Sequence, residues 1–283
     1  MEIELLDDDY EIIKKLELKI AKEVKRVCDK HGIQYSLTFG TLLGAVRHQG
    51  FIPWDDDIDI MMVRAEYERF IECAKTELNK DYEIVNYEIN HKITATMTKI
   101  MMKNTIMLEE FSGNSEGPCG VFVDIFPVDN ISDHKLRGLI QRYQAYSLEK
   151  KILIKSGCDF NKKGLKKVMY KLLELAIFKN KEQLFKSHMK NQLRYDNKPT
   201  KYMTVLTGGL QLRDIKFPTS MFDNYEELSF EGVKFSVVKE YDEFLTSCYG
   251  DYMSLPPREE RVPRHAVKEL DLSKLGGRKT SPK

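Results

Sequence analysis

The chain has 283 residues, with 45 Lys+Arg against 44 Asp+Glu and a formal net charge of +1, so no global field draws it onto a nucleic-acid backbone or holds it open by self-repulsion. With 42% apolar and 10% aromatic residues there is enough material for a buried core in one large domain or two small ones. Five cysteines, Cys28, Cys73, Cys119, Cys158 and Cys248, are scattered without a CxxC pair, which argues against a disulfide framework or a thiolate zinc site and for a reducing compartment.

The first ten residues, MEIELLDDDY, are acidic and hold no apolar core, so they do not read as a secretory signal. The most apolar short stretch, 172–178, is interrupted by Glu174 and is too short to span a bilayer, so a soluble, cytoplasmic protein is expected. From 7 to 30, Ile12, Leu16, Ile20, Val24 and Val27 recur at helical spacing, with acids first, lysines later and Gly32 beyond, predicting a long amphipathic helix. Residues 34–39 read as a short strand, and Gly40-Thr41 introduces an apolar stretch, 42–46, of one or two helical turns. Residues 57–63 have the aliphatic content of a buried strand and 66–78 have helical periodicity. Strands follow at 82–89, 93–102 and 105–109, then a Gly/Ser/Pro loop at 112–120 and a core strand at 121–126. Residues 134–195 are mostly helix formers. β segments return at 202–206 and at 228–238, around a Glu231-Gly232 turn, before a helix at 241–249. The tail, 271–283 and above all from Gly276 onward, has few apolar side chains and is expected to be disordered. The expected organisation is an α+β core with a mixed sheet flanked by helices at 1–132, an inserted helical subdomain at 133–200, and an α/β segment at 201–270 that completes the site.

The informative stretch is 40–60, GTLLGAVRHQGFIPWDDDIDI. Four aspartates within five positions repel and raise one another's pKa unless something neutralises them, and a divalent cation is the obvious remedy. On a strand Asp57 and Asp59 share a face while Ile58 and Ile60 point into the core, so the two carboxylates can hold a hard, oxygen-seeking ion such as Mg2+, with Mn2+ as a substitute. A second embedded acid is Asp124, in VFVDIFP, where Phe122, Asp124 and Phe126 share one face of a hydrophobic strand. Beside the metal pair it can stay ionised, as a third ligand or a general base. Gly40 and Thr41 add a close backbone approach, a hydroxyl and a helix N-terminus suited to phosphate.

Glycine-threonine, a gap, Asp-Ile-Asp-Ile and a later strand Asp together resemble the nucleotidyltransferase superfamily, the polymerase-beta-like fold. In more detail, FGTLLGAVRHQGFIPWDDDIDI, VFVDIFPVD, FEGVKFSV and YGDYMSLPPREERVPRH, in this order, resemble the LicD family of phosphotransferases over most of residues 30–265. Lys239 departs from the proline expected after FEGVKFSV, which touches only a local turn. The resemblance implies that Asp57, Asp59 and Asp124 are the catalytic, metal-binding carboxylates and that Gly40 and Thr41 form the phosphate loop. It implies transfer of phosphocholine from CDP-choline to a hydroxyl of a cell-surface glycan, lipid-linked glycan or teichoic acid precursor, with release of CMP. Transfer of another nucleotide-activated alcohol or sugar phosphate, such as ribitol or glycerol phosphate from a CDP donor, or a catalytically silent nucleotide-binding scaffold, is the alternative. Nucleic acid is not an expected partner.

Arg47, His48, Lys99 and Lys103 are candidate phosphate contacts, although strand lysines are commonly solvated. Trp54 can stack on a choline headgroup or pack beneath the acidic loop, and Tyr249 and Tyr252 share that ambiguity. Asp55 and Asp56 read either as part of the site or as caps before the strand. His265 sits in the last block and is a candidate contact to the donor phosphates. Between 161 and 190, nine lysines against two glutamates are interleaved with apolar residues, which suggests either a solvated helix face or a peripheral contact with the inner face of the membrane.

Overall fold

The computed structural model describes residues 3, 5–109, 117–158, 172, 174–211, 215–262 and 267–280. It is a mixed α+β structure built on a seven-stranded sheet. Helix α1 (Asp7–His31) lays Ile13, Leu16, Ile20, Val24 and Val27 against the core and ends at Gly32, whose φ of 60° supplies the left-handed C-cap. A two-residue strand β1 (Ser36–Leu37) leads into α2 (Phe39–His48), which starts three residues earlier than the apolar pattern at 42–46 suggests. Strand β2 (Asp59–Val63) runs directly into α3 (Arg64–Glu77).

Strands β3 (Tyr82–Val85) and β4 (Thr98–Met102) are each shorter than their apolar runs predict. The intervening segment is claimed by asparagine-centred turns. Asn86 Oδ1 accepts from the Ile89 N–H and Asn90 Oδ1 from the Lys92 N–H, and such local bonds compete with a strand ladder. After β5 (Ile106–Glu109) comes β6 (Phe122–Ile131), ten residues long and reaching well past 126.

Strand β6 is the axis of the sheet. It pairs parallel with β2 (Asp59↔Asp124 to Val63↔Val128). On its other side it pairs antiparallel with β4 over 122–125 and with β7 (Tyr202–Val205) over 128–131. The Asp124 N–H donates to Ile58 C=O on the β2 side, so by alternation the N–H that Pro127 lacks would point the other way. There it falls between the stretch bound by β4 and the stretch bound by β7, where no ladder bond is demanded. The order β1-β2-β6-β4-β3 is completed by β7 and β8 (Phe217–Pro218).

The stretch after β6 holds α4 (Lys135–Lys155) and α5 (Lys181–Gln192), which pack on each other; Gln141 and Asn191 exchange side-chain-to-backbone bonds of 3.2 and 2.9 Å. Strands β9 (Tyr225–Phe230) and β10 (Val233–Val238) form a hairpin whose turn residues Glu231 and Gly232 both have positive φ, 49° and 70°. The Lys239 N–H donates to Asn224 C=O, a bond that a proline there could not make. Helix α6 (Tyr241–Tyr249) follows.

The tail corrects the expectation of disorder. Strand β11 (Val267–Asp271) pairs with β5 and with β12 (Lys279–Thr280), and Arg278 donates from Nε and Nη2 to the Asp9 carboxylate in the first turn of α1. Leu272 is fully buried in the core, the Arg278 pair adds a charged anchor, and Asp9 is held below the usual carboxylate range because this bonding outweighs its burial. Residues 281–283 lie outside the described part. Among the described residues, no helix is long and apolar enough to cross a membrane.

Candidate active site

The site forms where the acidic segment meets the start of the parallel pair β2·β6. Asp59 and Asp124 are direct register partners, and Lys99 on β4 is the register partner of Asp124 from the other side, so the three side chains stand in a row on one face. The Lys99 ammonium lies 3.0 Å from Asp124 Oδ1 and 3.4 Å from Oδ2, 3.5 Å from Glu109 Oε2, and 3.1 Å from the centroid of the Phe122 ring. Burial opposes its charge, but the two carboxylates outweigh burial and raise its pKa. Lys99 is therefore enclosed among acids as the counter-charge of Asp124. Glu109 was not foreseen; only its position at the end of a short apolar strand marked it.

Asp57 precedes the strand. Burial nevertheless alternates from it onward, with Ile58 and Ile60 inside and Asp57 and Asp59 at the half-buried surface, as the pattern predicts. Among the described residues, the carboxylates that converge most closely are Asp55, Asp56 and Asp57, each offering an oxygen within 4.8 Å of the others. Asp57 adjoins Asp59, whose register partner is Asp124, so this acidic run leads directly into the paired strand carboxylates. Asp56 is buried and close enough to Tyr10 on α1 to raise its phenol pKa, a shift led by burial.

The helix before this segment holds it in place. Thr41 is buried, and its Oγ1 accepts from the Asp59 N–H at 2.8 Å. The hydroxyl also points its donor side toward the Asp57 carbonyl, 3.5 Å away, and so ties α2 to the acidic strand. Gly40 packs against Asp55 so closely that a Cβ would overlap Oδ2, so the close approach it permits is to an aspartate of the protein itself. From the far side, the hairpin tip closes on the loop leading to the acids. The Phe51 N–H donates to Glu231 Oε1 at 3.1 Å, and the Glu231 N–H donates to Gln49 C=O at 2.9 Å. This explains the separate FEGVKFSV block in physical terms, and Glu231 is a second residue that sequence reasoning missed.

The remaining candidates gather at the end of α2. Arg47 donates from Nη1 to the carbonyls of Tyr252 and Ser254, at 2.8 and 3.3 Å, and from Nε to His48 Nε2 at 3.0 Å. Both groups have lowered pKa values, Arg47 through burial and then the neighbouring Arg261, and His48 through burial and then Arg47. The His48 ring meets Trp54 edge-on, and the Arg261 guanidinium sits 5.3 Å from the centre of the Trp54 ring. Trp54 thus packs half-buried and carries a cation belonging to the chain, and Arg47 pins the YGDYMS segment. Tyr252 donates to Asp242 at 2.6 Å. Lys103 turns away to the Lys80 carbonyl. His265 lies outside the described residues.

A cavity of about 760 Å³ opens at the other end of β2 and β6, between α3, the 86–97 segment and α5, lined by Tyr67, Tyr87, Phe185 and the buried His188 among others. It begins at Arg64, five residues and roughly 16 Å along the strand from Asp59. Its position beside the bidentate Arg64–Asp129 pair, with bonds of 2.7 and 2.9 Å, separates it from the acids.

Comparison with known proteins accords with this geometry. The family model described as "LicD/FKTN/FKRP, nucleotidyltransferase domain" matches residues 32–156, the span from the end of α1 to the end of α4. The lipopolysaccharide cholinephosphotransferase LicD of Haemophilus influenzae is 32% identical over 254 residues, covering 88% of this chain and 92% of the relative. The chain belongs to the LicD family. An uncharacterized Rickettsia prowazekii protein is 27% identical over 131 residues, 46% of this chain and 47% of its own. Within this LicD family member the family-model span takes in Gly40, Thr41, all the clustered aspartates, Lys99, Glu109 and Asp124, whereas Glu231, Arg261 and Arg278 lie beyond it.

A carboxylate-only donor set suits a hard divalent cation rather than a thiolate-seeking one. The residues present therefore fit Mg2+ or Mn2+.

Proposed function

We propose that this LicD family phosphotransferase moves phosphocholine from CDP-choline to a hydroxyl of a cell-surface glycan, of the lipopolysaccharide or teichoic acid kind, and releases CMP. The observation that carries this reading is the register pairing of Asp59 with Asp124 on neighbouring parallel strands, beside the acids of 55–57. It is supported by the similarity over most of the chain to a protein named as a cholinephosphotransferase. In this reading the sheet is a nucleotidyltransferase-like core, residues 1–132, completed by 201–270, and the protein works on the cytoplasmic side of the membrane.

Asp57 and Asp59, with Asp124, would hold Mg2+ or Mn2+, which when bound supplies Lewis-acid stabilisation of the diphosphate and its leaving group. The acceptor oxygen attacks the phosphorus that bears choline, the bond from that phosphorus to the CMP oxygen breaks, and CMP leaves with the electron pair. Asp124, held by Lys99, accepts the hydrogen bond of the acceptor hydroxyl, orients it in line and takes its proton as the new P–O bond forms. Phosphoryl transfer asks for positioning and charge stabilisation rather than a protein nucleophile, and none is assigned here. The cluster of Arg47, His48, Trp54 and Arg261 borders the donor and shapes its pocket.

The test is CMP release from a panel of CDP-choline, CDP-ribitol and CDP-glycerol with Mg2+, with and without acceptor glycan. Turnover of CDP-choline is expected. Turnover of CDP-ribitol alone would reassign the alcohol, and no turnover with any donor would indicate a silent scaffold.

A further inference from the structure

We propose that the outward face of α4 docks the protein onto an anionic lipid surface. The helix has its amphipathicity turned inside out. It buries Gly138, Gln141, Ala145 and Ile152, whereas Leu136, Leu139, Ile140 and Tyr143 are 59, 50, 43 and 62% exposed. Those four sit at i, i+3, i+4 and i+7, the spacing of a continuous apolar stripe that a helix of a soluble protein ordinarily presents to its core. An apolar stripe left in water marks an interaction surface.

The charge around the stripe selects the occupant. Helix α4 carries Lys135, Arg137, Arg142, Lys150, Lys151 and Lys155 against one acid, Glu149, which is turned onto Gln211. At 100° per residue, Lys135 and Arg137 border the stripe on either side, and Lys150 and Lys151 straddle its continuation two turns later. Apolar side chains flanked by lysine and arginine, with no outward carboxylate on the helix, are the pattern of a helix lying in a headgroup region of negative charge. Phe178, 98% exposed, follows Ile177, which packs on the small Ile152–Leu184–Phe185 cluster, so a second large apolar group stands near the far end of the same helix. A second copy of this chain is a poorer occupant, because a two-fold interface through α4 would set six cations against six.

This surface is not the basic region that the lysine count at 161–190 suggested. Residues 159–171 and 173 lie outside the described part, and α5 turns Leu184 and Phe185 inward, leaving its basic side without an apolar stripe.

The test is co-sedimentation of the full chain with phosphatidylcholine vesicles and with vesicles that also contain phosphatidylglycerol. Retention is expected on the anionic vesicles and not on the neutral ones. Leu139→Gln with Tyr143→Gln should lower the partition coefficient at least about tenfold, and Arg137→Gln with Lys151→Gln about 30-fold at low salt, with an unchanged circular dichroism spectrum in each because all four side chains are exposed. Failure of the wild-type chain to bind anionic vesicles, or binding indifferent to Leu139→Gln with Tyr143→Gln, would overturn the proposal. So would a wild-type dimer in size-exclusion chromatography that the same apolar variant converts to monomer, since the stripe would then face another copy.

Discussion

Lys99→Met isolates the interaction on which the site's charge balance turns. Methionine keeps an unbranched side chain of similar length over Phe122 but removes the ammonium, leaving Asp124 and Glu109 side by side with side chains 13 and 16% exposed. Removing one partner of a buried ion pair costs about 3–5 kcal/mol. The residual exposure admits some water and places this case at the lower end, about 3 kcal/mol. Urea unfolding followed by circular dichroism reads the loss as a lower midpoint. Adding Asp124→Asn to Lys99→Met should return at least about 1 kcal/mol, because a neutral amide no longer needs a counter-charge. Mg2+ should stabilise Lys99→Met more than wild type if Asp124 is a ligand, since an ion that binds the folded state replaces the missing charge. A Lys99→Met protein within about 0.5 kcal/mol of wild type would refute Lys99 as the counter-charge of Asp124.

Arg64→Met should cost about 3–5 kcal/mol in the same unfolding assay, because it strands the buried carboxylate of Asp129. Gly40→Ala should leave the thermal midpoint within a few degrees but lower CMP release about 100-fold, since the added methyl displaces only the tip of Asp55 and so moves the acidic cluster; activity unchanged would show that Asp55 is not part of the machinery. Asp59→Asn should abolish turnover in the CMP assay while the circular dichroism spectrum is retained. His188 is buried, and its pKa falls from 6.5 to about 4, chiefly through that burial. The folded state therefore favours the neutral ring, and the contribution is complete above about pH 6.5 and is lost as pH falls toward 4, by about 3 kcal/mol in all. Unfolding curves across that window should slope in wild type and flatten in His188→Gln.

The local placement of the candidate site's acids was legible in the sequence because it uses short-range rules. Alternation put Asp59 outward and Ile60 inward, and VFVDIFP announced a core strand with one polar position. Glycine signalled the C-cap at Gly32 and the tight turn at Gly232. What the sequence could not show was which strands would lie side by side. Lys99, on β4, resembles any strand lysine until β4 is placed beside β6 in the register that sets it against Asp124. Glu231 is similar: its role depends on a hairpin tip reaching a loop 180 residues earlier. The tail was misjudged for the same reason, since composition counts apolar side chains and Arg278 holds on by an ion pair with Asp9.

Strand β6 carries two carboxylates paired with cations from its neighbours, Asp124 with Lys99 of β4 and Asp129 with Arg64 at the start of α3, and their difference favours the first as the candidate reaction centre. Asp124 and Asp129 are five residues apart on β6, an odd spacing that turns them to opposite faces. Asp129 meets a guanidinium in a bidentate grip with both partners buried; its formal charges cancel, its geometry is fixed, and nothing remains for a ligand to complete. Asp124 meets an ammonium shared with Glu109 and stands beside Asp59. Lysine is a point charge without the planar fork of a guanidinium, so it grips Asp124 without fixing its carboxylate plane. Exchanging the two cations tests this distinction. Lys99→Arg should lower turnover through a bidentate grip on Asp124 while keeping stability close to wild type, whereas Arg64→Lys should lower stability by about 1 kcal/mol or more through the lost second bond and leave turnover unchanged. The opposite pattern would place the functional carboxylate at Asp129.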